Sequence, residues 1–188
     1  MVNAVNGQWS TVSIDHSLFK FVIILNMNRI IFLSLLFALT VSSSLSVQSQ
    51  SIPSWKITNL QKYIDNTDSV LVINFWATFC KPCIRELPYM QSIADKFRNK
   101  RVGLLLVSLD LTEAYPGTID SFAKANNYTA PVVWLNETNA DYFCPKIDRA
   151  WSGAIPTTLF INRKKGYRKL VQEDMDAKRF EKELIQAL

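Results

Sequence analysis

The chain has 188 residues, 48% of them hydrophobic and 20% charged, which is enough apolar material for one ordinary globular domain but hardly for two. Its formal net charge of +5 comes from interspersed acids and bases, and the one dense basic stretch, at residues 162–169, predicts a solvated hairpin rather than a nucleic-acid surface. With three cysteines and one histidine, the chain has few soft ligands for a closed zinc site.

Residues 27–50 have the layout of a secretory signal peptide. Arg29 supplies the positive end, a twelve-residue apolar run from Ile30 to Val41 follows, and a serine-rich stretch comes next. A helix needs ~20 apolar residues to span a bilayer, and this run is shorter. We therefore predict cleavage between residues 43 and 52 and export of the part that follows.

This interpretation divides the chain into three parts. Residues 1–26 are an upstream extension from a mis-assigned start, residues 27–50 are the signal peptide, and residues 51–188 form one globular domain. An uncleaved anchor over residues 18–41, which would tether the domain to a membrane, is the alternative, although polar residues interrupt it. In both cases the domain works outside the cytoplasm, in the periplasm or an equivalent exported location.

The domain beyond residue 51 alternates between strand and helix patterns. Helices are recognised by apolar residues at helical spacing, and buried strands by short apolar runs rich in β-branched residues. The predicted order is helix 57–66, strand 69–77, helix 84–100, strand 102–110, helix 116–127, strand 130–135, a short helical or irregular passage at 142–151, strand 155–161, strand 167–171 and helix 176–188. This order predicts an α/β fold with a central mixed sheet that turns antiparallel at one edge.

Cys80 and Cys83 stand between the first predicted strand and the helix that follows it. A structural disulfide at this spacing would close a very small loop and constrain the unfolded chain little, and zinc would need about four ligands where only Cys144 and His16 remain. A helix N-terminus favours the thiolate through its unpaired N–H groups and its dipole. The position therefore favours a reactive pair, with Cys80 exposed as the nucleophile and Cys83 sheltered as the resolving thiol.

Four neighbouring residues belong to the same turn. Lys81 adds a positive charge beside Cys80, and Pro82 presets the first helical turn at a position where its missing N–H costs nothing. Trp76 and Phe79 flank the turn, and contact with a substrate is the functional alternative to simple packing for both.

Together these residues resemble the thioredoxin superfamily, and within it the exported TlpA- and ResA-like thiol-disulfide oxidoreductases. The resemblance covers residues 57–188. The segment "NFWATFCKPC" is similar to the family's W-A-x-W-C-x-x-C element, with Phe79 where a second Trp is usual. The segment "AIPTTLFI" is similar to its second signature, Pro88 matches the family's helix kink, and residues 109–135 match the helix and strand that the TlpA-like branch inserts.

The resemblance implies a thioredoxin fold that exchanges dithiol for disulfide with protein substrates and uses no cofactor. It implies a cis bond at Pro156, which would place the Ile155 backbone opposite the disulfide to receive substrate as an extended strand. It favours a reductant, as in cytochrome c maturation or cysteine repair, recharged by a membrane electron donor. Lys81 and the helix N-terminus favour a more oxidising couple, so the direction stays open.

Two positions near the pair bear on proton transfer. Thioredoxins carry a buried Asp where this chain has Asn74, and that acid accepts the proton of the inner thiol, which Asn cannot do. The TlpA-like branch resembles this chain in having Glu just beyond the pair, and Glu86 follows Cys83 by three residues on the same helical face. We predict a proton-shuttling role for Glu86, against the alternative of a solvated helix residue.

Other interpretations compete with this one. A peroxide-reducing peroxiredoxin relative would need a P-x-x-x-T/S-x-x-C context, which nothing before Cys80 provides. A copper-handling module of the same fold normally needs a distant His, and none follows His16, while a redox-inert module would be expected to lose a cysteine or the Pro156 loop. Cys144 is interpreted as an incidental, semi-buried thiol, with a disulfide to a partner as the alternative.

Overall fold

A computed structural model describes residues 27–29, 31 and 52–188. The chain divides into two compact units, Met1–Ser49 and Gln50–Leu188. The predicted signal peptide and the alternative anchor lie almost entirely outside the described residues. Within the described part of the chain, no helix combines the length and the apolar character needed to cross a membrane.

The second unit follows the predicted order of strands and helices, with one short strand added in front. That strand has two residues and shows no periodicity that the sequence could reveal. The bounds are β1 Ser54–Trp55, α1 Ile57–Asp65, β2 Val70–Trp76, α2 Lys81–Lys96, β3 Val102–Ser108, α3 Gly117–Ala125, β4 Val132–Leu135, α4 Ala140–Ile147, β5 Thr157–Asn162, β6 Tyr167–Val171 and α5 Ala177–Ala187.

The strands of this unit form one mixed sheet in the order β1-β4-β3-β2-β5-β6. β2 runs parallel to β3 and antiparallel to β5, and β6 pairs antiparallel with β5 at the edge. The predicted change to antiparallel pairing is therefore confirmed. The basic stretch at 162–169 contains the turn between β5 and β6, at residues 163–166, with Gly166 in the left-handed conformation at φ 63°.

The sheet has a hydrophobic cluster on each face. Because side chains alternate along a strand, Val72 and Trp76 of β2 lie in the cluster that contains Met90 of α2. Ile73 and Phe75 lie in the other cluster, which packs against α1 and α4. All seven residues of β2 are buried, which identifies it as the central strand of the core.

Helix α2 starts directly after the turn that follows β2. Cys80 is its N-cap, and Pro82 lies in its first turn, where the missing N–H is not needed. The helix runs unbroken through the exposed Pro88 to Lys96. The two cysteines are therefore fixed between the carboxyl end of the central strand and the N-terminus of a long helix.

Candidate active site

Cys80 and Cys83 form a disulfide, with their Cα atoms 5.3 Å apart. The backbone N–H of Cys83 donates a hydrogen bond to Cys80 Sγ at 3.3 Å, so a helix N-terminal donor points at the sulfur that would carry the thiolate. Cys80 is 7% exposed and Cys83 is 0% exposed. Cys80 is thus the more accessible thiol, as predicted, but the expectation of a freely exposed Cys80 is wrong for the disulfide form.

The residues around the turn differ sharply in exposure. Phe79 is 67% exposed beside Cys80, and Lys81 is exposed at the first position of α2. Trp76 is buried, with its ring centroid 5.9 Å from that of Phe122 and 5.4 Å from that of Tyr128. Of the two alternatives for Trp76, its burial supports packing, because the last residue of β2 faces the core, whereas Phe79 is open to contact.

Glu86 is buried at 1% exposure, so the alternative of a solvated helix residue is wrong. Its carboxylate accepts hydrogen bonds from Asn74 Nδ2 at 2.8 Å and from the Met175 backbone N–H at 3.2 Å. Burial raises the pKa of Glu86 from 4.5 to about 7, against the lowering effect of these two hydrogen bonds. A carboxyl group with this pKa can take up or release a proton near neutral pH.

Asn74 meets Glu86 across the interface between sheet and helix. It is buried in the middle of β2, and its amide nitrogen also donates to Thr158 Oγ1 at 3.0 Å. The sequence singled out Asn74 and Glu86 separately, and the structure brings them into direct contact. Twelve residues separate them, so only the packing of strand against helix reveals the pair.

Asp110 is a residue of the site that the sequence did not single out. It is buried just beyond β3, and its carboxylate accepts hydrogen bonds from the Thr78 backbone N–H at 3.0 Å, the Thr78 hydroxyl at 2.6 Å and the Ser108 hydroxyl at 2.7 Å. Parallel neighbours end at the same edge of a sheet, so Asp110 reaches the turn after β2. The sequence did contain one signal for Asp110: an acidic residue that comes directly after a buried strand.

The loop before β5 completes the surroundings of the disulfide turn. The Ile155–Pro156 peptide bond is cis, as the resemblance implied, and a second cis bond at Tyr115–Pro116 was not predicted. Ile155 and Phe79 line one groove of about 410 Å³, together with Leu111 and Glu137. A mainly apolar groove thus opens beside Phe79, the residue before Cys80, between the loops that follow β2, β3 and β4 and the loop that precedes β5.

Cys144 is the free cysteine of the described region and lies away from this turn. It is buried in α4, among the residues on the opposite face of the sheet from the disulfide. Burial, with a contribution from Asp141, raises the pKa of its thiol to about 11. No group of three or more His, Cys, Asp or Glu residues in the described region is arranged to hold a metal ion.

Comparison with known proteins places the chain in a family. The AhpC/TSA family model matches residues 45–168, which is well over half of the chain. The chain belongs to the AhpC/TSA family. It is 34% identical over 111 residues to the thiol-disulfide oxidoreductase ResA of Oceanobacillus iheyensis, a match that covers 59% of this chain and 53% of that protein.

Other relatives agree with this placement. Over 103 residues the chain is 31% identical to the sporulation thiol-disulfide oxidoreductase A of Bacillus subtilis, covering 54% of this chain and 58% of that protein. The chain thus spans little more than half the length of these curated relatives. A solved thioredoxin-related protein from Neisseria meningitidis serogroup B, 23% identical, aligns with a TM-score of 0.56 over 66% of this chain and 89% of that one. The predicted thioredoxin fold and the resemblance to ResA-like proteins are confirmed.

Replacing Asp110 by Ala should destabilise the protein by about 2–4 kcal/mol, because buried or partly buried donors of Thr78 and Ser108 would lose their acceptor. Urea unfolding measures this change. Asp174→Ala is the control, since Asp174 forms an exposed ion pair with Arg85 and its loss should cost less than about 1 kcal/mol. Equal effects of the two substitutions would show that Asp110 does not hold the turn.

Proposed function

We propose that this domain exchanges dithiol for disulfide with other proteins, with Cys80 as the nucleophile and Cys83 as the resolving thiol. The observation that carries the proposal is the disulfide at the N-terminus of α2, where the Cys83 N–H points at Cys80 Sγ. The printed names of the relatives, thiol-disulfide oxidoreductases, support the same reaction class.

In the reducing direction, the Cys80 thiolate attacks one sulfur of a client disulfide and forms a mixed disulfide. The other client sulfur leaves as a thiolate and takes up a proton. Cys83 loses its proton and attacks Cys80 Sγ, so the Cys80–Cys83 disulfide forms and the second client sulfur leaves. The client gains two electrons and two protons in total. The domain supplies both electrons, one proton comes from Cys83, and the other balances the proton that Cys80 released to solvent when it became a thiolate.

Glu86 is proposed as the group that accepts the proton of Cys83. Residues three apart on a helix are neighbours, with Cβ atoms about 5–6 Å apart, which allows transfer directly or through one water. The raised pKa of Glu86, about 7, suits a general base working near neutral pH. Glu86 then returns the proton to a leaving thiolate or to solvent.

The direction and location are proposed on different grounds. A reductant, of the kind that serves cytochrome c maturation or cysteine repair and is recharged by a membrane electron donor, is proposed on the resemblance of the sequence motifs to the TlpA- and ResA-like branch. Export is supported by the signal-like residues 27–50, with residues 51–188 as the exported domain. An uncleaved signal would leave the domain tethered to the membrane.

The residues before Cys80 do not support peroxide reduction, the alternative weighed from the sequence. A peroxidatic cysteine at position 80 would call for Pro at 73 and Thr or Ser at 77. The chain has Ile73 and Ala77 there, both buried in the core. Disulfide exchange therefore remains the function that the site supports best.

The client is proposed to bind through the mainly apolar groove beside Phe79. Phe79 and Leu111, at 67% and 71% exposure, border this groove together with Ile155. Phe79 directly follows Thr78, and Leu111 directly follows Asp110. The hydrogen bonds between Thr78 and Asp110 therefore fix the backbone next to both exposed side chains. Large apolar side chains held in solvent mark a contact surface, and here they suit an apolar residue near the client cysteine.

Cys83→Ala should accumulate mixed disulfides with clients, because the attacking thiol remains and the resolving thiol is lost. Cys80→Ala should trap almost none. Both variants are made in a Cys144→Ala background, which serves as the control, and the adducts are counted on non-reducing gels with a disulfide-containing protein such as insulin. Equal trapping by the two variants would reverse or remove the assigned roles.

Glu86→Gln should slow the resolving step by about a hundredfold and leave the alkylation of Cys80 unchanged. Stopped-flow measurement of mixed-disulfide decay separates the two steps. Glu173→Gln is the control, since Glu173 is exposed and pairs with Arg179 at the surface. If Glu86→Gln resolved mixed disulfides at the wild-type rate at every pH tested, the proposed proton transfer would be wrong.

Glu86 should also make the unfolding free energy depend on pH. Its pKa is about 7 when folded and near the ordinary 4.5 when unfolded, so the folded state keeps a proton that the unfolded state has lost between these values. The stabilisation that results is present at low pH and is lost as pH rises through 7, by about 3 kcal/mol in total. Glu86→Gln should flatten this dependence in urea unfolding series.

Phe79→Ser and Leu111→Ser together should lower kcat/KM for protein disulfides about tenfold, the size of a modest interface contact. The rate with a small aromatic disulfide should stay unchanged, because such a substrate does not need the groove. Ile185→Ser is the control, since Ile185 is an exposed apolar residue on α5 that does not line the groove. An equal loss with both substrates would show damage to the disulfide turn instead.

A further inference from the structure

Asn74 occupies a position where a polar side chain is costly. It lies in the middle of β2, is fully buried, and points to the same face as Val72 and Trp76, toward α2. A buried amide without hydrogen bonds destabilises a protein, because it loses its water partners on folding and gains none. The contacts of this amide therefore decide what the position contributes.

Only one end of the Asn74 amide has hydrogen-bond partners in the described structure. Nδ2 donates to Glu86 Oε1 at 2.8 Å and to Thr158 Oγ1 at 3.0 Å, and Met90 Sδ lies 3.7 Å away. Oδ1 is buried and has no partner among the described residues. The amide thus uses both of its hydrogens and leaves its acceptor unpaired.

Both oxygens of Glu86 face donors. Oε1 accepts from Asn74 and Oε2 accepts from the Met175 backbone N–H, an arrangement that suits the ionised carboxylate. If either oxygen were protonated, its O–H would face the N–H that now donates to it, and neither group would have an acceptor. Met175 donates from the main chain and cannot reverse its polarity, whereas an amide side chain can turn by half a turn and present its oxygen.

Thr158 allows such a turn, because a hydroxyl can either accept or donate. With Asn74 in the observed orientation, Oγ1 accepts from Nδ2. With the amide reversed, the hydroxyl would donate to Oδ1, and Oδ1 would also accept from a protonated Glu86. Both hydrogen-bonding partners of Asn74 can therefore change from acceptor to donor in place.

We propose that Asn74 is a positioning residue whose amide turns each time Glu86 takes up or releases the proton of the Cys83 thiol. The inference rests on the proposed transfer of that proton to Glu86. In the disulfide form the amide donates to the carboxylate. In the resolving step the Cys83 proton passes to Glu86 Oε1, the sulfur keeps the electron pair and attacks Cys80 Sγ, and Asn74 Oδ1 turns to accept the new O–H.

Other charged or titratable groups near Glu86 do not replace Asn74. Arg85 and Asp174 act on Glu86 through their charges with opposite signs, and they pair with each other at the surface. Tyr89 lies one turn of α2 beyond Arg85 and donates its hydroxyl to the Met175 carbonyl, and Asp176 affects the pKa of Tyr89. The hydrogen bonds to the carboxylate itself come from Asn74 and Met175.

The test is an NMR titration of the protein with its disulfide intact, following the Glu86 carboxyl carbon and the Asn74 side-chain amide from about pH 5 to about pH 9. The Asn74 signals should change with the same midpoint as Glu86, because the amide turns when the carboxyl group is protonated. The readout needs no turnover, so it does not depend on the proposed disulfide exchange.

Two kinds of variant sharpen the titration. Asn74→Leu, which keeps the size and removes both the donor and the acceptor, should raise the Glu86 midpoint by about one pH unit or less. The hydrogen bond lost from the carboxylate is the stronger one, and the loss of the hydrogen bond to the protonated form partly offsets it. Asn74→Ala should shift it in the same direction if the Leu variant does not fold. Thr158→Val is the matched control, because it removes the second partner and keeps the Asn74–Glu86 hydrogen bond, so it should shift the midpoint less.

Asn74 signals that stay constant while Glu86 titrates would overturn the inference. A Glu86 midpoint raised by about two pH units or more in Asn74→Leu would do the same, because it would show that the amide stabilises only the ionised carboxylate. If the signals move together but Glu86→Gln resolves mixed disulfides at the wild-type rate, the coupling of amide and carboxyl group stands and the transfer of the Cys83 proton to Glu86 is wrong. The two failures are therefore distinguishable.

Discussion

The burial of β2 and its pairing on both edges are the constraints on which the reactive turn depends. All seven residues of the strand are buried, and it is held by β3 on one side and β5 on the other. This pairing fixes the carboxyl end of β2 relative to the loop that follows β3 and the loop that precedes β5. Asp110 fixes the next residues from β3, and α2 begins at once behind Cys80.

Three polar residues are nevertheless buried in this core. Asn74, Glu86 and Thr158 lie within the interface between sheet and helix, where apolar residues would pack at lower cost. Natural sequences depart from the rules of good packing mostly at functional sites. A carboxyl group held near neutral pKa by burial needs such surroundings, because water would return its pKa to the ordinary value.

The sequence predicts this fold well where the signal is local. The apolar runs of β2, β3 and β5 and the helical spacing of α1 and α5 each lie within a few residues, and the structure has all of them. β1 has two residues and no period to detect. The contacts that define the site join distant parts of the chain: Asp110 reaches Thr78 over 32 residues, and Glu86 accepts from Met175 over 89 residues.

The solvent exposure of single side chains could not be predicted from neighbouring residues in the sequence either. Trp76 and Phe79 are three residues apart in one motif, yet one lies in the core and the other in solvent, because β2 ends between them and the chain turns. Glu86 could have been at the surface by its residue type. Only the packing of α2 against the sheet decides that it is buried.

The position of Cys144 has a consequence for the fidelity of the redox cycle. A protein that holds a client in a mixed disulfide is open to scrambling by any further thiol of its own. Cys144 belongs to a different hydrophobic cluster from the Cys80–Cys83 pair, and the raised pKa of Cys144, about 11, leaves almost no thiolate at neutral pH. In the proposed exchange, the third cysteine would therefore compete poorly for the client sulfur at neutral pH.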